Sequence, residues 1–191
     1  ADTGSFLTGP YLMTPKTNGM VVVWELDKPM KSTITYGTSD ADKKTLEVPV
    51  EEGEKFKGEN MHMYRARLTD LTPGTTYTYK VETEDGQTMD GHFRTLPENS
   101  NEIRFVVVSD SHRFETATKV SDVIAQFDPD FILHTGDMVE GTGSQKDQFP
   151  YWFQNVGSFL HNVPVIYNSG NHDYGVYFDE YVTKVQKEQY K

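Results

Sequence analysis

The sequence predicts two architectures in one chain: an all-β sandwich over residues 1–96 and an α/β region with a parallel sheet over residues 103–191. Three observations predict it. Apolar residues alternate with polar ones in short runs up to about residue 96, then change to unbroken runs separated by helical spacing. A polar breaker stretch, residues 97–102, falls where the period changes. Three of the later apolar runs, FVVVSDSH, FILHTGD and VIYNSGNHD, each stop at residues able to ligate a metal ion.

In the first half the expected strands are VVVWEL at 21–26, STITYG at 32–37, MYRARL at 63–68 and TYTYKVE at 76–82. They are rich in β-branched and aromatic residues. Tyr77, Tyr79 and Val81 alternate with Thr78, Lys80 and Glu82, giving one apolar and one polar face. Turn signals separate the runs at Thr17-Asn18-Gly19, Pro73-Gly74 and Glu84-Asp85-Gly86. The segment from Leu71 to Tyr77, LTPGTTY, resembles the tyrosine corner of fibronectin type III domains, in which a Tyr hydroxyl bonds upstream backbone. That implies a structural role for Tyr77.

Beyond the linker, Ile103 to Val108 reads as a buried strand, and Ala117, Val120, Ile124 and Phe127 follow helical spacing. Phe131, Ile132 and Leu133 make a second strand, and Trp152, Val156, Phe159 and Leu160 stripe a second helix. Val163, Val165, Ile166 and Tyr167 make a third strand. This β-α-β-α-β order predicts a parallel sheet with right-handed crossovers. Near the end, Phe178, Tyr181, Val182 and Val185 form another helical stripe.

Composition narrows the function classes. The net charge of −11 opposes an electrostatic nucleic-acid binder. It leaves open a phosphate-bearing small substrate, because bound cations reverse the local sign. There is no cysteine, so disulfides and thiolate metal sites are excluded, and any metal must sit on oxygen and imidazole. No apolar run is long enough to span a membrane. The opening ADTGSFL suits a mature terminus left after signal cleavage, which gives the expectation of a secreted or periplasmic protein.

The chemistry gathers at the strand ends, which share one edge in a parallel sheet. Asp110 and His112 stand two apart, a spacing that lets both reach one cation from a tight loop. Asp137 follows Gly136, which lets the backbone turn close to a ligand, and its two oxygens can bridge two cations. Asn171 offers a neutral amide oxygen, and His172 need not point at the same ion. Asp173 is expected to hold the imidazole of His172 in one tautomer. Alone, Asp-x-His is a weak signal and Gly-Asp a weaker one, being common turn chemistry, while Gly-Asn-His-Asp after a buried strand is a better one. Together they share order and position, with 27 residues from Asp110 to Asp137 and 34 from Asp137 to Asn171, each about one βα unit. The other histidines read as structural. His62 and His92 belong to sandwich strands, His161 ends a helix where a cation would favour the dipole, and His134 is a buried, hydrogen-bonded core residue.

These motifs, Asp110-Ser111-His112, Gly136-Asp137 and Gly170-Asn171-His172-Asp173, resemble those of the calcineurin-like metallophosphoesterase superfamily. The first half is similar to the N-terminal domain of purple acid phosphatases, through Gly9-Pro10-Tyr11-Leu12, the VVVWEL strand, Ile34-Thr35-Tyr36-Gly37 and the Leu71–Tyr77 corner. The resemblance implies two divalent or trivalent metal ions (Fe, Mn or Zn) bridged by Asp137. The first ion would take Asp110 and His112 and the second Asn171, with His172 and Asp173 as the catalytic pair. Two departures stand out. Glu140 occupies the position of the tyrosine ligand of purple acid phosphatases, and His112 stands where those enzymes have glycine, so no iron-phenolate colour is expected. The family's further histidine and G-H-x-H motif do not follow within the 18 residues after Asp173.

The expectation is hydrolysis of phosphate esters at a two-metal site, with this chain the N-terminal portion and weak or inactive by itself. A phosphate-ester small molecule is the expected substrate. Surface left uncovered by truncation is expected to favour self-association. A rival expectation is a non-catalytic docking module built on the sandwich. A mononucleotide-binding domain is disfavoured, since no Gly-rich loop follows the first α/β strand.

Overall fold

The computed structural model describes residues 4–54, 60–100, 102–112, 115–141 and 145–189. The first three residues of the expected mature terminus and Asn101 of the expected linker lie outside them. Among the described residues, eight strands build the first half: β1 (Phe6–Met13), β2 (Met20–Leu26), β3 (Ser32–Gly37), β4 (Lys44–Val48), β5 (Val50–Glu54), β6 (Asn60–Leu68), β7 (Thr76–Thr83) and β8 (Thr88–Arg94). They form two antiparallel sheets, β1-β2-β6-β5 and β4-β3-β7-β8. The sheets close over Leu12, Val22, Trp24, Ile34, Tyr64, Val81 and Phe93, with Trp24 stacked on Tyr64 at 5.5 Å. The Leu71–Tyr77 corner forms as expected: the Thr72 N–H donates to the Tyr77 hydroxyl at 2.9 Å, and the ring stacks on Phe93.

The second half follows the expected order. Strands β9 (Phe105–Val108), β10 (Phe131–His134) and β11 (Val165–Tyr167) are parallel, in the order β11-β10-β9. Helix α1 (Glu115–Ala125) joins β9 to β10. The second helical stripe is divided, into α2 (Gln145–Asn155) and α3 (Gly157–Leu160). Residues 176–189 run as one helical segment: α4 (Val176–Phe178), a π-helical stretch (Asp179–Thr183) and α5 (Lys184–Gln189).

The halves share a core. Tyr11, Met13, Val21, Val23, Met61 and Met63 project from the outer face of the β1-β2-β6-β5 sheet. They pack in one cluster with Phe149, Trp152 and Phe153 of α2 and with Phe178, Tyr181, Val182 and Val185 of the C-terminal segment. Tyr11 stacks on Phe153 at 4.3 Å, and its hydroxyl donates to the Tyr181 carbonyl at 2.7 Å. The Tyr181 hydroxyl in turn donates to buried Glu25 at 2.5 Å. The C-terminal stripe therefore covers the sandwich.

Charge clamps the same seam. Arg65, almost fully buried, pairs with Glu51 at 2.5 Å and Glu180 at 3.2 Å. Arg67 forks onto Glu188 with two bonds of 2.7 Å. Gly53 leaves the space that Glu180 occupies, since a Cβ there would lie 2.7 Å from the carboxylate.

Two expectations of burial need correction. The run 103–108 is not a fully buried strand: pairing starts at Phe105, and Phe105 and Val107 are each 54% exposed. Val106 and Val108 point to the helices, while the opposite face of the sheet has no cover among the described residues. On α1, Ala117 and Ile124 are buried but Val120 is exposed, and Phe127 lies exposed in the turn after the helix. The face toward the sheet is narrower than the spacing implied, and Ser121, donating to the Ala117 carbonyl, completes it. His161 also differs. Burial pushes its pKa down, which favours the neutral ring over a dipole-capping cation.

Candidate metal centre

The carboxyl ends of β9, β10 and β11 meet as expected of a parallel sheet, and the loops leaving them are stitched by backbone bonds. Asp110 N–H donates to the Gly136 carbonyl at 3.0 Å, and His112 N–H to that of Asp137 at 3.1 Å. The third loop joins through His172 N–H, which donates to Asp137 Oδ1 at 2.9 Å. Gly136 and Gly170 allow this closeness. A Cβ on Gly136 would lie 2.5 Å from Gly170 N, and one on Gly170 would lie 2.5 Å from Asp137 N.

Asp110, His112 and Asp137 converge. One ligand atom from each lies within 4.8 Å of the others. All three hold left-handed backbone, with φ of 50°, 42° and 58°. Asp and His tolerate that region better than most residues, yet it still costs of order 1–2 kcal/mol each. Three strained residues on two adjoining loops place backbone strain where side chains must converge, a pattern found at functional sites.

The loop after Asp137 organises the rest. The His112 Nδ1 lies 3.2 Å from the Val139 carbonyl, and the His172 Nδ1 is bonded to the next carbonyl, that of Glu140. Carbonyls only accept, so each Nδ1 carries its proton and each Nε2 keeps its lone pair when the ring is neutral. The two rings stand edge to face at 5.3 Å. The carboxylate and imidazole donors suit a cation of borderline hardness. His112, already oriented through Nδ1, would present Nε2 to it.

Asp173 differs from expectation. It is 1% exposed, and its carboxylate accepts the backbone N–H groups of Met138 at 2.9 Å, Val139 at 3.2 Å and Gly170 at 3.2 Å. It braces the Asp137 loop, while the His172 Nδ1 goes to Glu140. The side chains of adjacent residues diverge here. Asn171 is exposed on the same loop, between Gly170 and His172.

Ser111 escaped the sequence reading, and with it the partners of His134 and Trp152. Ser111 lies between two expected ligands, and its hydroxyl meets His134 Nε2 and Trp152 Nε1, both at 2.8 Å. His134 is the buried, hydrogen-bonded residue expected, but its partners are the ligand loops. Burial pushes its pKa down to about 4, so the ring is neutral. A cavity of about 210 Å³ adjoins Asp110, Ser111 and His134, walled mainly by apolar residues including Val108, Ile124, Ile132 and Val165.

Comparison with known proteins bears on the family and the fold. Residues 11–95 match the family model of the purple acid phosphatase N-terminal domain, and residues 103–190 match that of the calcineurin-like phosphoesterases. Purple acid phosphatase PPD1 from yellow lupin (Lupinus luteus) seeds is similar in fold, with a TM-score of 0.66 at 21% identity over 86% of this chain and 35% of that one. PhoD is similar with a TM-score of 0.60 at 15% identity, over 85% of this chain and 38% of that one. The chain thus spans little more than a third of either structure. Comparison with curated protein sequences gave no match.

Proposed function

We propose that this chain, a calcineurin-like metallophosphoesterase with a purple acid phosphatase-type N-terminal domain, carries part of a two-metal site for the hydrolysis of phosphate esters. The observation that carries the reading is the convergence of Asp110, His112 and Asp137. A cation held there would lower the pKa of water and neutralise phosphoryl oxygens during in-line attack.

The chain's own residues have distinct parts. Asp110, His112 and Asp137 would hold the first ion. Asn171 would offer a neutral oxygen to a second ion beside Asp137. His172, with Nδ1 anchored on Glu140, directs Nε2 toward the substrate to stabilise phosphoryl charge or protonate the leaving oxygen. Asp173 acts as a positioning residue, holding the Met138 and Val139 amides and so the loop that carries Asp137 and both imidazole anchors.

Asp137 and Asn171 are too few to fix a second ion, so this stretch of chain is a portion of the working site. It binds one cation and turns over poorly. Fe, Mn and Zn all suit the donor set, and the substrate is a small phosphate ester. A docking module is less well supported, because one sandwich sheet has both faces occupied by packing within the chain.

Calorimetric titration with manganese or zinc tests the reading. Binding by the wild-type chain that Asp137→Ala abolishes is expected. Equal binding by the two would sink the assignment. An aryl-phosphate assay with added metal should give turnover well below the usual enzymatic range of roughly 1–1000 per second.

A further inference from the structure

We propose that Trp152, Ser111 and His134 form a buried strut fixing the β9 and β10 ligand loops relative to each other, making His134 a positioning residue for the metal centre. The inference rests on the assignment of Asp110, His112 and Asp137 as ligands.

The strut is continuous. The Trp152 indole N–H donates to Ser111 Oγ at 2.8 Å. Ser111 Oγ lies 2.8 Å from His134 Nε2, and the Gly136 N–H donates to His134 Nδ1 at 3.2 Å. The backbone N–H of Gly136 can only donate, so Nδ1 accepts and carries no proton. The neutral ring then has its hydrogen on Nε2, where it donates to Ser111. Both acceptor positions of the Ser111 hydroxyl are thereby filled, by an indole and an imidazole.

Each end of this chain of bonds lands beside a ligand. Ser111 is the residue between Asp110 and His112, and Gly136 is the residue before Asp137. A single ring, 1% exposed, therefore touches both loops. It is held by Trp152 edge to face at 5.7 Å and by Tyr167 at 6.2 Å. Trp152 is in turn fixed by Phe153 at 5.1 Å, in the core shared with the sandwich. The three ligands sit in left-handed backbone that ordinary residues avoid, so the surroundings must determine their conformation. The two backbone bonds between the loops tie them at one level; the strut ties them again from beneath.

The pattern differs from ordinary core packing in what it controls. Loss of a core ring lowers stability throughout a cooperative unit. Loss of the strut should release the two loops specifically, and partners of metal ligands typically change affinity by about 10–100-fold when removed. Ser111→Ala cuts the strut without altering a ring. His134→Phe keeps a ring and loses both bonds. His134→Gln restores a donor toward Ser111.

The experiment has three arms on the full chain. Manganese affinity by calorimetry should fall by at least about tenfold in Ser111→Ala and His134→Phe, with partial recovery in His134→Gln. In the metal-free proteins, amide exchange should quicken at Asp110, His112 and Gly136 and stay unchanged in the sandwich. Imidazole nitrogen shifts of wild-type His134 should report the Nε2–H tautomer. Wild-type manganese affinity in both Ser111→Ala and His134→Phe would overturn the proposal, as would unchanged exchange at all three amides or an Nδ1–H tautomer. If the wild-type chain binds no manganese, the assignment of the metal centre fails, and the metal-free exchange and the tautomer still decide the strut. If His134→Phe does not fold, Ser111→Ala and the wild-type tautomer decide it.

Discussion

The two sheets that flank the shared core carry similar apolar strands and meet different fates. β2, MVVVWEL, is buried along its whole length because its sheet has the second sandwich sheet on one face and α2 with the C-terminal segment on the other. β9, FVVV, is covered on one face only among the described residues. Its Phe105 stacks on Phe131 at 5.4 Å across an open surface that also carries Val107. An apolar run therefore says that a strand can be covered twice; whether it is depends on elements elsewhere in the protein. The difference also bears on the candidate metal centre, which lies at the edge of the half-covered sheet, with Trp152 reaching from the shared core to Ser111 between two of the candidate ligands.

The comparison can be broken most sharply at Val23. This residue lies on the outer face of its sheet, is fully buried and belongs to the shared core. Val23→Lys would force an ammonium into that core or expel the helices from it. The expected loss is at least about 4 kcal/mol, since burial of an unpaired charge is among the costliest single changes. Chemical denaturation read by far-UV circular dichroism would measure it. Both halves should lose stability together, because the core is common to them. A loss confined to the sandwich signal would mean that the halves are independent.

A smaller effect separates the sandwich from the seam. Tyr77 is buried between the sandwich sheets, away from the shared core. Tyr77→Phe keeps the ring on Phe93 and removes the acceptor of the Thr72 N–H. The expected loss is about 1 kcal/mol, or up to about 3 kcal/mol where the amide stays dry. Manganese binding should not change. An unshifted denaturation midpoint would remove the corner from the list of stabilising features.

Much of this was legible in the sequence because local pattern and topology agree. The β-α-β-α-β order follows from period and punctuation, and parallel pairing brings Asp110, His112 and Asp137 to one edge whatever the details of the loops. The rest was hidden for identifiable reasons. The shared core could not be read because MVVVWEL has no polar alternation to tell one covered face from two. The anchors of His112 and His172 are carbonyls of Val139 and Glu140, and a backbone acceptor leaves no mark in the sequence. Asp173 was assigned to its neighbour His172, but adjacency fixes chain position and not side-chain direction, and the carboxylate turns to the amides of Met138 and Val139. His134 read correctly as buried and bonded. Its meaning depended on Ser111, which only the fold brings beside it.

The smallest effect on stability, and the sharpest contrast with Val23, is expected at Val107. Both are valines in the interior of apolar strands, and only the cover differs: Val107 is 54% exposed. Val107→Lys places its ammonium in water while the stem lies along Phe105 or Leu133, so stability should change by no more than about 0.5 kcal/mol. The substitution should act on association instead. The face carries Phe105 and Val107 exposed beside partly buried Phe131, Leu133 and Ile166, and a contiguous apolar face of this kind favours self-association in water. Light scattering of the wild-type chain should therefore show concentration-dependent growth in mass that Val107→Lys reduces. A destabilisation approaching that of Val23→Lys would mean that the face is covered in solution by another surface. If the wild-type chain stays monomeric at all concentrations, the open sheet face is tolerated by the chain as it stands.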